Sequence, residues 1–167
     1  GGRAAPVGLG KTTFCKKRAG YERPDEGQVL LDGKPLSEYK GYCPVQLIWQ
    51  HPQEAVNPRR KMKTVLEEGG VLDERLIHGL GIEKEWMERY PGELSGGELQ
   101  RFCIARALGE KTSFLLADEI TAMLDLITQS QIWNFLLEEV RSREIGLLVV
   151  SHSEPLLQRI CTGRIQL

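Results

Sequence analysis

The stretch APVGLGKTT at residues 5–13 decides which fold this chain of 167 residues is expected to adopt. Gly8 and Gly10 allow backbone N–H groups to wrap around a phosphate, and Lys11 supplies a cation for its outer oxygens. Thr12 adds a hydroxyl that suits Mg²⁺ and opens a helix whose N-terminal dipole favours an anion. A turn of this kind connects a strand to a helix. The stretch therefore predicts an α/β fold with an anion-binding turn, although a plain glycine-rich turn has a similar composition.

Short continuous apolar runs predict the strands of a sheet. They lie at residues 45–49, 114–117 and 147–150. The run at 27–33 ends in Asp32-Gly33, a dipeptide typical of tight hairpins. Strands without polar alternation are expected to be buried on both faces, which is the arrangement found in parallel sheets.

Helical spacing of apolar residues predicts the remaining elements. Short helices are expected over 12–19 and at several places between 59 and 90. A longer helix is predicted over 126–143, with one apolar face formed by Ile132, Phe135, Leu136 and Val140. Strands that alternate with helices indicate a mainly parallel sheet flanked by helices. We expect one domain over residues 1–167, with a helical subdomain at about 58–108.

Two acidic residues follow the apolar run at 114–117. Burial of that run would place Asp118 at the carboxyl end of a strand, where open α/β sheets bind their ligands. There Asp118 can hold Mg²⁺ and Glu119 can polarise an attacking water. The same pair also suits the solvated start of a loop, so this motif alone leaves both interpretations open.

The octapeptide LSGGELQR at residues 94–101 is more specific. Ser95 is an N-cap candidate with Glu98 three residues later, as in a capping box, so a helix is predicted to begin here. Gly96 and Gly97 follow a hydroxyl at this helix start, which predicts a second surface that recognises phosphate. A helix cap without a ligand is the simpler interpretation, but this combination of residues is rare by chance.

Composition excludes several classes of protein. Lys and Arg (22) nearly balance Asp and Glu (23), so no basic field indicates a nucleic-acid partner. No run approaches the roughly 18 apolar residues of a membrane span, and residues 1–6 lack the apolar core of a signal peptide. The four cysteines form no CxxC pair and are expected to be reduced thiols of a cytosolic protein.

Together and in this order, the motifs resemble those of the nucleotide-binding domain of ABC transporters, from Gly8 to the C-terminus. The corresponding family motifs are a Walker A loop at 5–13, a Q-loop at Gln50, a signature at 94–98, a Walker B strand at 114–119, a D-loop at 122–125 and an H-loop at His152. The resemblance implies a P-loop NTPase fold with a helical signature subdomain. It also implies an ATPase that uses ATP and Mg²⁺.

The resemblance further implies a role for each matched residue. ATP would be bound by Gly8, Leu9, Gly10, Lys11, Thr12 and Thr13. Catalysis would depend on Glu119, on His152 at the γ-phosphate and on Gln50 near the metal and the attacking water. Mg²⁺ would be held by Thr12, Gln50 and Asp118. The ATP of a second subunit, in a head-to-tail dimer, would be contacted by Ser95, Gly96, Gly97 and Glu98. The dimer seam would contain Asp125.

A finer resemblance concerns two longer stretches. WQHPQEAVNPR at 49–59 is similar to FQDPxxSLNPR of the peptide and nickel importer ATPases, and LADEITAMLD at 116–125 is similar to their ADEPTAMLD. This implies a peripheral subunit on the cytoplasmic face of the membrane. Its partners would be a second ATP-binding subunit and integral-membrane permease subunits, with no nucleic acid. The transported solute is not indicated, because the selective groups belong to the other components.

The chain departs from the family pattern at several positions. Ala5 replaces a glycine of the phosphate loop, Ile120 replaces a proline, and Glu98 replaces the commoner glutamine. Residues 1–10 are rich in Gly, Ala and Pro and are expected to form a loop. Residues 1–4 are too few to supply the strands that precede the phosphate loop in the family. We therefore expect a domain with its N-terminal strands missing and, as a consequence, a poor ATPase.

Two other functions stay open at this point. A soluble ABC ATPase acting on nucleic acid or the ribosome is disfavoured by the balanced charge and by the single set of motifs. The lack of sustained heptads between residues 50 and 94 also disfavours the coiled-coil members of that class. An inactive truncated remnant is the other alternative, and it depends on the missing N-terminal strands.

Overall fold

The structure is a computed structural model. It describes residues 2–4, 30–31, 34–35, 41–70, 73–153, 155–156, 158 and 164–166, with side chains at 41–70, 73–153, 155, 156 and 158. The predicted helix at 12–19 and the loop at 5–13 lie outside these residues. The chain divides into two compact units. One contains residues 1–47, 111–119 and 144–167, and the other contains 48–110 and 120–143.

The first unit is built on a parallel sheet. The described strands, in chain order, are β1 (Gly2–Ala4), β2 (Leu30–Leu31), β3 (Lys34–Pro35), β4 (Val45–Ile48), β5 (Phe114–Asp118), β6 (Gly146–Ser151) and β7 (Arg164–Gln166). Five of them form one sheet in the order β4-β5-β6-β1-β7. The pairs β5 with β6, β6 with β1, and β1 with β7 are parallel. The predicted mainly parallel sheet is confirmed.

β1 corrects part of an expectation from the sequence. Residues 1–10 were expected to form a loop, with 1–4 too few to supply the strands that precede the phosphate loop in the family. Gly2–Ala4 is a strand, with Gly2 opposite Val149 of β6 and opposite Arg164 of β7. Backbone pairing on both sides imposes the extended conformation on Gly and Ala, which have low intrinsic strand propensity. β6 consequently has a neighbour on each side.

A separate two-stranded ribbon confirms the hairpin prediction. β2 and β3 are antiparallel, with Leu30 opposite Pro35 and Leu31 opposite Lys34. The two residues between the strands are Asp32 and Gly33. A two-residue connection of this composition suits the tight turns that match the twist of a hairpin.

The predicted strands β4, β5 and β6 differ in how completely they are buried. Every residue of β4 is buried, and Leu115, Leu116 and Ala117 of β5 are at most 1 % exposed. In β6 only the carboxyl half is buried: Val149 and Val150 are covered, whereas 147–148 are half-buried. The sheet is therefore best shielded at the ends where β5 and β6 are followed by polar residues.

The second unit contains four α-helices whose bounds the structure describes. These are α1 (Met62–Glu68), α2 (Glu74–Gly79), α3 (Gly96–Ala107) and α4 (Leu126–Ser142), with 3-10 turns at Pro52–Glu54, Lys84–Glu88 and Pro91–Glu93. The short helices expected between 59 and 90 are confirmed. The long helix predicted over 126–143 ends one residue earlier. Among the described helices, none is long and apolar enough to cross a bilayer.

The apolar face predicted for α4 is only partly correct. Ile132 and Leu136 are buried, but Phe135 and Val140 are half-buried. Two further residues of α4, Trp133 and Glu139, are 1 % and 2 % exposed.

Polar partners explain these two buried side chains. Trp133 Nε1 donates a hydrogen bond of 3.0 Å to the hydroxyl of Thr121. Glu139 accepts two hydrogen bonds from the guanidinium of Arg75, which lies on α2. This pairing raises the pKa of the Arg75 side chain. Such partners compensate the loss of hydration, but hydrophobic periodicity does not reveal them.

The cysteines of the described part, Cys43 and Cys103, form no disulfide bond. Burial raises the pKa of the Cys103 thiol to about 11. A thiol with that pKa stays protonated at neutral pH, and a protonated thiol is a weak nucleophile and metal ligand. Cys103 is therefore a packing residue of α3.

Gly69 is expected to be essential for the packing of α1 against α3. A Cβ at this position would lie 2.4 Å from the backbone carbonyl oxygen of Arg106, whereas Gly92 has open space around it. Gly69→Ala should lower the free energy of unfolding by about 1–3 kcal/mol, because the backbone must shift. Gly92→Ala should be neutral or stabilising by up to about 1 kcal/mol. Urea denaturation followed by circular dichroism measures both, and equal stabilities would contradict this packing.

Candidate functional site

Two carboxylates lie at the carboxyl end of β5. Asp118 is the last residue of the strand, is 4 % exposed and pairs with Val150 in the parallel ladder. Glu119 follows it, and its N–H donates a hydrogen bond of 2.9 Å to the Val150 carbonyl. The Glu119 side chain is 11 % exposed. Both carboxylates are therefore largely buried, so this pair is not the solvated start of a loop.

Glu119 also has an unusual backbone conformation. Its φ is +51°, in the left-handed region. A residue with a side chain pays of order 1–3 kcal/mol for such a conformation, which persists only where neighbouring contacts hold it. The hydrogen bond from Glu119 to Val150 is such a contact. Because strain of this kind is concentrated at functional sites, it supports Glu119 as a functional residue.

The structure brings His152 next to Glu119. β6 ends at Ser151, and the carboxyl ends of parallel neighbours lie side by side. His152 Nε2 is 3.2 Å from Glu119 Oε1. The Ser151 hydroxyl accepts a hydrogen bond of 3.0 Å from the Ser153 N–H, which holds the turn after the strand. The imidazole is 41 % exposed, so one face of this pair remains open to a ligand.

The predicted capping box at the start of α3 is present. The Ser95 hydroxyl accepts from the Glu98 N–H at 3.1 Å, and the Glu98 carboxylate accepts from the Ser95 N–H at 2.9 Å. The N–H groups of Gly96 and Gly97 have no intrahelical acceptor by helix geometry. They point out of the helix start, the arrangement that suits an anion. Ser95 itself is exposed.

The D-loop lies against this helix start within the second unit. A Cβ on Gly97 would be 2.7 Å from Leu124 Cδ2, and one on Gly96 would be 3.4 Å from Met123 Sδ. The absence of side chains at these two positions therefore lets residues 123–124 approach the helix. The chain thus places the predicted signature and D-loop residues together.

Asp125 begins α4 as its N-cap. Its carboxylate accepts hydrogen bonds from the Thr128 N–H at 2.9 Å and from the Thr128 hydroxyl at 2.8 Å. These bonds lower the pKa of the Asp125 carboxyl. The side chain is exposed and stays ionised at neutral pH. Its position at a helix start orients the carboxylate without help from another subunit.

Two glutamines, Gln50 and Gln100, lie in the second unit, and motif analysis assigned a role only to Gln50. Gln50 is half-buried and follows β4 by two residues. Gln100, on α3, is fully buried, and its Nε2 donates to the carbonyl oxygens of Trp49 and Ile120. Position 100 belongs to the stretch LSGGELQR, but only packing reveals that this amide is buried and holds two other segments.

The structure describes only some of the predicted phosphate and metal ligands. Residues 8–13 lie outside the described part of the chain, whereas β1, which precedes them, is described. Asp118 is described and fits Mg²⁺ by its chemistry, because this ion prefers carboxylate oxygens. The first unit thus brings together Asp118, Glu119 and His152, and the second unit brings together the signature and the D-loop.

Comparison with known proteins relates this arrangement to a family. The family model described as "ABC transporter" matches residues 6–122, more than half of the chain. The nickel import ATP-binding protein NikE of Rhodospirillum rubrum is 33 % identical over 92 % of this chain and 62 % of that protein. NikD of Pseudomonas putida is 37 % identical over 80 % of this chain and 58 % of that protein. The oligopeptide transport ATP-binding protein OppF of Streptococcus mutans is 29 % identical over 95 % and 58 %.

Solved structures show the same fold. An ATP-binding cassette, solved as a dimer in a post-hydrolysis state with ADP and Pi, matches with a TM-score of 0.84. It is 22 % identical, and the match covers 99 % of this chain and 79 % of that chain. The chain spans 62 % of the length of the first of these curated relatives. With its parallel sheet and capped signature helix, the chain belongs to the ABC transporter family, as an ATP-binding domain of that family.

Proposed function

We propose that this chain binds and hydrolyses ATP to drive an ABC transporter that imports peptide- or nickel-type solutes. The observation that carries the ATPase proposal is the group at the ends of β5 and β6. There a buried aspartate, a largely buried glutamate and a histidine 3.2 Å from that glutamate occur together. The solute class rests on the names of the relatives, which include nickel and oligopeptide transport proteins.

Glu119 is proposed as the general base. Its carboxylate is shielded from bulk water but open toward His152, so it can accept a proton from a water held between it and the γ-phosphate. Its strained backbone, held by Val150, restricts where the carboxylate can point. His152, when protonated, attracts the Glu119 carboxylate at 3.2 Å and can donate a hydrogen bond to a phosphate oxygen.

Residues 8–13 are proposed to bind the phosphates of ATP through backbone N–H groups and Lys11. Thr12, Gln50 and Asp118 would hold Mg²⁺, which neutralises phosphate charge when it is bound. Asp118 is suited to this role because its carboxylate is held at a strand end with little solvent around it.

We also propose that the chain works in a dimer of ATP-binding subunits. Support comes from the helix start at Ser95, whose outward N–H groups suit a phosphate, and from the D-loop packed beside it. Ser95, Gly96, Gly97 and Glu98 would contact the ATP of the other subunit, with Asp125 at the seam. The helical segment at about 58–108 would form the subdomain that meets the permease on the cytoplasmic face of the membrane.

The two alternatives have less support. A nucleic-acid function is disfavoured by the formal net charge of −1, because proteins that bind nucleic acid usually carry an excess of basic residues. The inactive remnant was suggested by missing N-terminal strands, and β1 supplies one strand before the phosphate loop.

Glu119→Gln is expected to lower ATP turnover by about 10²–10⁴-fold, because an amide cannot act as a general base. Nucleotide binding should stay within about twofold of the parent, because the phosphate ligands are unchanged. Steady-state phosphate release and equilibrium binding of a fluorescent ATP analogue measure the two quantities.

Glu144→Gln is the matched control, because Glu144 also has a positive φ, of 54°, but is exposed in the turn before β6. Its turnover should equal that of the parent. Equal turnover of the Glu119 and Glu144 variants would contradict the assignment of Glu119 as the general base.

Ser95→Arg, made together with Glu119→Gln, is expected to abolish ATP-dependent dimerisation, because a bulky side chain at the helix start blocks the approach of another subunit. Binding of nucleotide at Lys11 should persist. Ser95→Ala controls for the lost capping bond, worth about 0.5–2 kcal/mol, without adding bulk. Size-exclusion chromatography with ATP should show a dimer for the Ala variant, weakened by the lost hydroxyl contact, and no dimer for the Arg variant. A dimer of both variants would exclude a trans role for the signature.

A further inference from the structure

We propose that Gln100 is a positioning residue for ATP hydrolysis, acting on the backbone beside both Gln50 and Glu119. This inference rests on the proposed function, because it concerns the same reaction. Gln100 would touch neither the nucleotide nor the attacking water. Its role would be to fix two chain segments from which the proposed catalytic side chains extend.

The hydrogen bonds of Gln100 connect three segments of the second unit. Its Nε2 donates at 2.8 Å to the carbonyl of Trp49 and at 3.0 Å to the carbonyl of Ile120. Trp49 directly precedes Gln50 in the chain, and Ile120 directly follows Glu119. Neither acceptor belongs to a helix or strand, so the two amide bonds connect irregular backbone to α3.

The chemistry at this position requires an amide. Both hydrogens of the NH₂ group are used, one for each carbonyl, while the side chain is 0 % exposed. Its Oε1 has no hydrogen-bond partner among the described residues. A buried acceptor without a partner is unfavourable, so packing alone would favour Leu or Met here. The amide is therefore explained by the two bonds that it donates.

The location on α3 links these bonds to the signature. Gln100 lies five residues after the N-cap Ser95 on one continuous helix. A displacement of the helix start would therefore be transmitted to the carbonyls of Trp49 and Ile120. This gives the signature a direct mechanical connection to the backbone beside two proposed catalytic residues.

Gln100→Met is the test variant, because methionine fills a similar volume and donates no hydrogen bond. Turnover should fall by about 10- to 100-fold, since a misplacement of about 1 Å at a reacting group costs up to about 10²-fold. The dissociation constant for the ATP analogue should stay within about twofold. The control is Ile104→Val, on the same face of α3, with a side chain that is also 0 % exposed but makes no such bond. It should keep turnover within about twofold of the parent.

Hydrogen exchange gives a readout that does not depend on ATPase activity. Amides in 49–55 and 119–124 should exchange at least about tenfold faster in Gln100→Met than in Ile104→Val, because two anchors of these segments are lost. If Gln100→Met does not fold, Gln100→Asn keeps the amide but shortens its reach by one methylene group and serves the same comparison.

The outcomes separate this inference from the proposed function. Loss of turnover with retained binding and faster exchange in both segments supports the positioning role. Turnover equal to that of Ile104→Val, or a parallel loss of binding and turnover, overturns it. If the parent chain hydrolyses no ATP, the proposed function fails, and unchanged exchange in both segments then refutes the anchoring by Gln100 as well.

Discussion

The parallel pairing of β5 with β6 is the constraint on which the candidate site depends. It aligns Phe114 with Gly146 at one end and Asp118 with Val150 at the other. Gly146 has no room for a side chain, because a Cβ there would lie 2.3 Å from the Phe114 ring. A shift of the register by one residue would direct the buried side chains of one strand to the opposite face. The observed register of β5 and β6 therefore places Glu119 and His152 at the same edge of the sheet.

In the second unit, long polar side chains of α3 hold segments that have no regular ladder. Arg101 donates to the Gly81 carbonyl at 3.1 Å, and Arg106 donates to the Ala55 carbonyl at 2.8 Å. Gln100 does the same for two further carbonyls. Irregular backbone that is partly buried must find hydrogen-bond partners, and a central helix that carries such side chains provides them. The signature helix is thus both a candidate ligand surface and the anchor of the surrounding loops.

A buried charge links α2 and α4 in the same unit. Glu139 is 2 % exposed and is paired with Arg75, while Arg143 lies 3.7 Å from its carboxylate. Arg143 also donates to the carbonyls of residues 108 and 109, at the end of α3. Removing one member of such a cluster leaves a buried charge without compensation, which costs more than the intact pair contributes. The cluster therefore favours one relative placement of these three helices.

The sequence by itself determined the elements that are set by local chemistry. Hydrophobic periodicity located β4, β5 and the helices between 59 and 90, and the spacing of Ser95 and Glu98 located the start of α3, because a capping box is formed within four residues. The order of the motifs also determined the family, since each motif is a short contiguous stretch.

Only the tertiary structure decided the rest. Gly2–Ala4 is a strand because β6 and β7 pair with it, and nothing in its own residues favours that conformation. The approach of His152 to Glu119, the left-handed backbone of Glu119 and the burial of Gln100 all depend on partners 20 or more positions away in the chain. Contacts between segments far apart in the chain leave no local pattern, so they had to be observed in the fold.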